Sequence, residues 1–145
     1  MQLSKFSDYG LRVLIHLATH QPERQSVRQI AGAYNISEHH VAKIASELVR
    51  GGFVVSGRGR VGGLQLADDA REISIGKVLR HLNKDAAVVE CFAKTGCECA
   101  IEPQCGLKAP LARAREAFFA SLDDVTLSDA TPDIEAMLQL LSVEA

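Results

Sequence analysis

The stretch FVVSGRGRVGGLQLA, residues 53–67, sets two short β-prone runs, Phe53 to Val55 and Leu64 to Leu66, around the glycine-rich tip GRGRVGG. The runs predict a hairpin with Arg58 and Arg60 at its end. A tip of this kind suits a minor groove, where guanidinium groups meet concentrated negative potential and glycines let the backbone come close. The glycines also invite comparison with a nucleotide-phosphate loop. However, no strand, GKS or GKT and long helix follow in the order that such a loop requires.

Three short helices are predicted ahead of the hairpin. In SKFSDYGLRVLIHLATH, Leu11, Leu14, Ile15 and Ala18 recur at helical spacing over about 5–19, with Ser4 or Ser7 as the cap. Ser26 and Gln29 form a capping box for a short second helix that turns Ile30 and Ala31 inward. Ser37 caps a third, in which Val41, Ile44, Ala45 and Leu48 share one face and Gly51 and Gly52 supply a left-handed stop. Helices two and three, joined by a tight turn, make a helix-turn-helix. Ser37 stands at the start of the helix that would enter a major groove, and His39, His40 and Lys43 lie opposite its apolar face. These four, with Arg58 and Arg60, are the candidate DNA-contacting residues. The bland alternative for helix three is a plain surface helix.

After the hairpin, ISIGKVLRHLN carries Ser74 as a cap and the stripe Ile75, Val78, Leu79 and Leu82, which closes a winged-helix unit. His16, His20 and His81 are expected to be packing or surface residues. Further on, Leu107, Leu111, Ala114, Phe118 and Leu122 form a coiled-coil-like seam on a helix that starts near 106–109, since Pro110 is tolerated only in the first turn. A reader of two half-sites needs two copies, so the seam predicts a homodimer. Thr131 as cap and Pro132 at the first helical position predict a short C-terminal helix. The expected fold is mostly α with a small β-hairpin wing: a winged helix-turn-helix plus a long dimerisation helix.

Charge is divided along the chain. Residues 1–81 hold 11 Lys and Arg against 7 Asp and Glu, whereas residues 82–145 hold 5 against 11, giving +4 and −6. The front half is the one suited to phosphate, and the overall acidity does not cancel its local attraction. No signal-peptide pattern and no apolar run near 20 residues is present, so the expected address is the cytoplasm, with no membrane partner.

All four cysteines fall in VECFAKTGCECAIEPQCGLKAPL, as C-x5-C-x-C-x5-C at Cys91, Cys97, Cys99 and Cys105. In a reducing compartment such a cluster points to metal or redox chemistry rather than to structural disulfides. The paired C-x2-C knuckles usual for zinc are missing, and C-x-C is not the C-x-x-C of thioredoxin-like enzymes. Soft thiolates on a loop suit iron and sulfide, which tolerate irregular spacing. Zinc, and a thiol-redox enzyme using Cys97 and Cys99, stay open as alternatives.

MQLSKFSDYGLRVLIHLA, the wing GRGRVGGLQLA, EISIGKVLRHL and CAIEPQCGLKAPLARAREAFFASLDDVTLSD together resemble the Rrf-two family of iron-sulfur winged-helix regulators. Within it the chain is most similar to the nitric-oxide-sensing repressors. The resemblance implies a homodimer on double-stranded operator DNA, with one iron-sulfur cluster per subunit, 4Fe-4S or 2Fe-2S. It assigns Cys91, Cys99 and Cys105 as ligands, with Cys97 as an alternative. The motif from Phe6 to Arg12 resembles a start in which the aspartate, here Asp8, reaches the partner's cluster as fourth ligand. The C-x7-C-x5-C spacing of the preferred set is also similar to iron-responsive members of the family, so nitric oxide and iron supply both stand as signals. The implied organisation is a DNA-binding domain over 1–83, a cluster loop over 84–106, and dimerisation and C-terminal helices over 107–145.

Overall fold

The computed structural model describes residues 3–57, 59, 62–84, 87–93 and 96–142. Six helices and one hairpin follow in the order α1 (Lys5–Thr19), α2 (Val27–Ala33), α3 (Glu38–Arg50), β1 (Val54–Gly57), β2 (Gly63–Leu66), α4 (Ile75–Leu82), α5 (Lys108–Ala120) and α6 (Ile134–Ser142). Two short 3-10 turns, Glu90–Phe92 and Glu102–Gln104, lie between α4 and α5.

The helix starts are set by local hydrogen bonds. Ser4 Oγ accepts the amide of Ser7 at 3.1 Å, and Ser26 and Gln29 satisfy each other's amides in the capping box. The turn into α3 passes through Asn35 at φ 50°, a conformation that asparagine tolerates better than most residues. The stop of α3 differs from expectation in one respect: Gly51 keeps φ −77° and only Gly52, at φ 76°, is left-handed. Gly51 is needed for a different reason. A Cβ there would stand 2.8 Å from both His81 Nε2 and the Phe53 ring.

The hairpin strands are shifted towards the tip relative to the expected runs, over Val54–Gly57 and Gly63–Leu66. Phe53 precedes the ladder, and Val54 pairs with Leu66 through to Gly57 with Gly63. Val54, Leu64 and Leu66 point into the core. Gln25, from the loop before α2, adds a third edge by exchanging backbone hydrogen bonds with Leu64 at 2.9 and 2.8 Å. Arg24 beside it donates to Gly63 O at 3.3 Å. Periodicity carried no sign of this anchoring, because it involves a single residue between helices.

One core cluster joins Val13, Leu14 and Leu17 of α1, Ile30 of α2, Val41, Ile44 and Leu48 of α3, the hairpin, and Val78 and Leu79 of α4. Phe119 of α5 and Leu127 beyond it belong to the same cluster. The join is made at the start of α4. Ile75 and Gly76 donate to Val125 O and Leu122 O at 2.8 and 2.9 Å, and Leu127 donates to Ile73 O at 2.8 Å. Ser74 Oγ donates to Asp123 O at 2.8 Å, and Arg80 grips the Asp123 carboxylate and Glu116. The seam of α5 is divided: Leu107 is 64% exposed, Leu111, Phe118 and Leu122 are half-buried, and the core residue is their neighbour Phe119. The start of α6 also differs from expectation. Thr131 is buried and turns its hydroxyl to Leu127 O, while Asp133 caps the helix by accepting from the amide of Ala136 at 2.9 Å.

His16 is buried in α1, with Nε2 donating to Gln25 Oε1 at 3.2 Å and its ring stacked 4.0 Å from His20. Its Nδ1 has no hydrogen-bond partner among the described residues. Burial, then the neighbouring His20, pushes its pKa down to about 4, against the bond to Gln25. The folded state therefore holds His16 neutral. Stability is full above the unfolded value near 6.5 and is lost as the pH falls from there towards about 4. Between pH 7.5 and 5 this group should remove about 2 kcal/mol. Denaturant melts of the wild type and His16→Leu should show that the variant lacks this part of the pH dependence; parallel profiles would refute it.

Gly76 tests the seam at α4. A Cβ there would lie 2.2 Å from Asp123 Oδ1 and 2.7 Å from its backbone nitrogen, and backbone cannot rotate away. Gly76→Ala should cost about 3 kcal/mol, read as a lowered thermal midpoint; an unchanged midpoint would mean that the seam yields.

Candidate functional site

One face of the N-terminal half of α3 is free of the core. Ser37, His39, His40 and Lys43 are all exposed, while Val41, Ile44, Ala45 and Leu48 are buried on the opposite side. Ser37 spends its hydroxyl on the cap, accepting from the amide of His40 at 3.3 Å. The His40 ring stands edge-on to Tyr9 of α1, with centroids 6.4 Å apart. The helix N-terminus, a histidine beside an aromatic ring and an exposed lysine thus share one end of α3. This is the arrangement of donors that base edges and phosphates call for. Arg58 and Arg60 lie outside the described residues; between them Gly59 has φ 82° and open space around it.

Tyr9 also connects this end to Asp8. The Arg12 guanidinium lies 5.5 Å from the Tyr9 ring centroid and forks onto the Asp8 carboxylate at 3.3 and 2.9 Å. Both side chains are nearly half exposed, 44% for Arg12 and 45% for Asp8. Such a pair is worth at most about 1 kcal/mol and exchanges readily for another partner.

At the other end of α3, Glu47 gathers cationic groups. Its Oε1 pairs with Lys84 and lies 3.0 Å from His81 Nε2, and its other oxygen pairs with Arg50. The hydrogen-bonded ammonium of Lys84, followed by Arg50 and His81, holds this carboxyl below its usual range. Sequence reasoning missed the cluster because the partners are 34 and 37 residues away from Glu47 along the chain. His81 itself is a packing residue, as its position on α4 suggested.

The cysteines sit in the connection from α4 to α5. Cys91 lies in the first 3-10 turn, and Cys105 follows the second and donates its amide to Glu102 O at 3.3 Å. The loop folds back on itself, since Glu90 Oε1 accepts the amide of Glu98 at 2.8 Å. All four thiols are free; Cys91, Cys97 and Cys105 are half-buried and Cys99 is exposed. Partial burial and then the neighbouring Cys97 push the Cys91 thiol up, with Cys105 adding to the rise and Lys108 opposing it. The Cys91 thiol placed this way resists ionising unless a cation joins it. Among the described residues no group of three His, Cys, Asp or Glu side chains is already arranged around a metal position. The donor chemistry of the loop suits a thiolate-held iron group, and its ligand geometry is not preformed. Among the described residues, too, no helix is long and apolar enough to cross a membrane.

Comparison with known proteins agrees with these features. A family model described as "Rrf2: Iron-dependent Transcriptional regulator" matches residues 3–133. The chain is 43% identical over 142 residues to the HTH-type transcriptional regulator NsrR of Geobacillus kaustophilus, covering 97% of each. It is 41% identical over 145 residues to NsrR of Bacillus subtilis, covering 99% of each. The solved structure of CymR, described as the global cysteine regulator of B. subtilis, superposes with a TM-score of 0.68 at 30% identity, over 91% of this chain and 97% of that one. IscR of T. potens superposes with a TM-score of 0.70 at 25% identity, over 94% of this chain and 90% of that one. These relatives are named as regulators rather than enzymes: the chain belongs to the Rrf2, or Rrf-two, family of DNA-binding transcriptional regulators.

Proposed function

We propose that the chain is a homodimeric repressor whose hold on operator DNA is set by an iron-sulfur cluster responsive to nitric oxide. The observation that carries this reading is near full-length identity of 41–43% to regulators named NsrR, in a chain that keeps four free cysteines on one loop and Asp8 at an exposed site. Cys91, Cys99 and Cys105 hold the cluster from one subunit, and the partner subunit's Asp8 completes the set. Cys97 is the second candidate for the middle position, favoured by its half-buried place beside Cys91. When bound, the cluster would supply an iron open to a small diatomic ligand, since a carboxylate is a harder and weaker donor to it than thiolate.

What the chain contributes is the exchange at Asp8. The carboxylate is paired with Arg12 in the single chain, and the low worth of that exposed pair lets it leave for the partner and return. Released, it falls back to Arg12, next to Tyr9 and so to His40 at the DNA-facing end of α3. Dimerisation is supported by apolar side chains left in solvent on the acidic half: Ile101, Leu107, Ile134 and Leu140. Two copies of α3 then reach successive major grooves, with Ser37, His39, His40 and Lys43 at the base edges and phosphates and Arg58 and Arg60 of the wing at the minor groove.

The test is an anaerobic titration with nitric oxide, following visible absorbance and operator binding in one sample. Loss of the absorbance band and release of DNA should run in step. A band with DNA binding that ignores nitric oxide and follows iron supply would replace this signal with iron, the second reading. No band after reconstitution would remove the cluster. Asp8→Ala should blunt the response to nitric oxide, and an unchanged response would remove Asp8 from the mechanism. For DNA, Lys43→Ala should weaken binding to all sequences and make the log affinity against log salt plot shallower by about one. An unchanged slope would take Lys43 off the phosphates.

A further inference from the structure

Lys84 is one of the residues through which the chain leaves α4 for the cysteine loop, and its ammonium pairs with Glu47 of α3. His81, one turn earlier, points Nε2 at the same carboxylate at 3.0 Å and at the Glu47 backbone oxygen at 2.9 Å. The Glu47 side chain is 13% exposed, so these charges are far less screened than those of the Asp8–Arg12 pair. The His81 ring is also wedged into the end of α3, edge-on to Phe53 with centroids 5.7 Å apart and against Gly51, where no Cβ would fit. The exit of the recognition helix is therefore moulded on the last turn of α4. A movement of the loop that draws Lys84 away strips one of two cations from a mostly buried carboxylate and leaves Arg50, on α3 itself, at the other oxygen. The freed oxygen must then turn out to water or carry the end of α3 with it.

We infer that Glu47 is the positioning residue through which the cysteine loop sets the recognition helix, with Lys84 as the moving contact and His81 as the fixed one. This rests on the reading of the loop as the sensor, and it adds the route from the sensor to DNA. The route differs from the exchange at Asp8, which meets α3 at its opposite end. A static brace between α3 and α4 would raise operator affinity equally in every state of the loop. A coupling contact instead changes the ratio of affinities between two states of the loop, and by linkage DNA must bias the loop by the same factor.

The experiment measures operator affinity of the full-length protein with its cluster reconstituted and with iron chelated away, for wild type, Lys84→Met and Glu47→Gln. Lys84→Met removes the ammonium from a side chain that is 46% exposed, which keeps folding out of the comparison. Wild type should differ by about tenfold or more between the two states. Both variants should bring the ratio to within about threefold of one, and the double variant should do no more than either alone. Hydrogen exchange of iron-free Lys84→Met, without DNA, should rise at amides 48–52. A wild-type ratio of tenfold that survives in the variants overturns the role of Glu47 and leaves the sensor reading intact. A wild-type ratio of one overturns both.

Discussion

The close approach of Gly76 to Asp123 is the contact on which the back half of the chain depends. Without a side chain at 76, the first turn of α4 donates two amides to the segment after α5, and Ile73 just ahead of α4 accepts a third from Leu127. That brings Phe119 and Leu127 into the core of the winged helix. Helix α5 is thereby anchored at its C-terminal end, where Arg80 and Arg115 flank the Phe119 ring at 5.3 and 5.2 Å. Its other end, with Leu107 and the cysteine loop, projects from that anchor. A helix held at one end is well placed to pass a change in the loop to the reader, because the anchor itself need not break.

Two carboxylates on the reader contrast in ways that follow from burial. Asp8 and Arg12 form an exposed pair one helical turn apart, cheap to break and easily replaced. Glu47 is mostly covered, meets its partners across two helices, and is costly to leave alone. The first geometry suits a group that changes partners, the second a group that holds two helices together. Glu47 lies in the last turns of α3, and Asp8, through its neighbour Tyr9, sits by the opposite end of the same helix.

Much of the front half was legible along the chain. Ser26, Ser37 and Ser74 all cap where their sequence positions placed them, and of the two candidates Ser4 and Ser7 it is Ser4 that caps α1, because a cap is a bond spanning three residues. The face of α3 was equally plain, since burial at Val41, Ile44, Ala45 and Leu48 follows directly from helical period. Legibility failed where one residue does a nonlocal job. Gln25 looked like a loop residue and is a sheet edge; Thr131 looked like a cap and is a buried hydroxyl, with Asp133 capping in its place. Phe118 fitted the α5 seam, but the neighbouring Phe119 reaches the core because the end of α5 is turned by its ties to α4.

A winged helix with an exposed face on α3, and a cysteine loop ahead of a further helix, could be read along the chain alone. Those features rest on periodicity, capping and residue chemistry, all of which act within a few residues. Only the tertiary structure decided that the hairpin leans on Gln25, that α5 hangs from α4, and that Glu47 meets His81 and Lys84. Each of those joins residues far apart in the chain whose types are individually ordinary. Their meaning comes from burial beside one another, and no local pattern records which distant residues will be brought together.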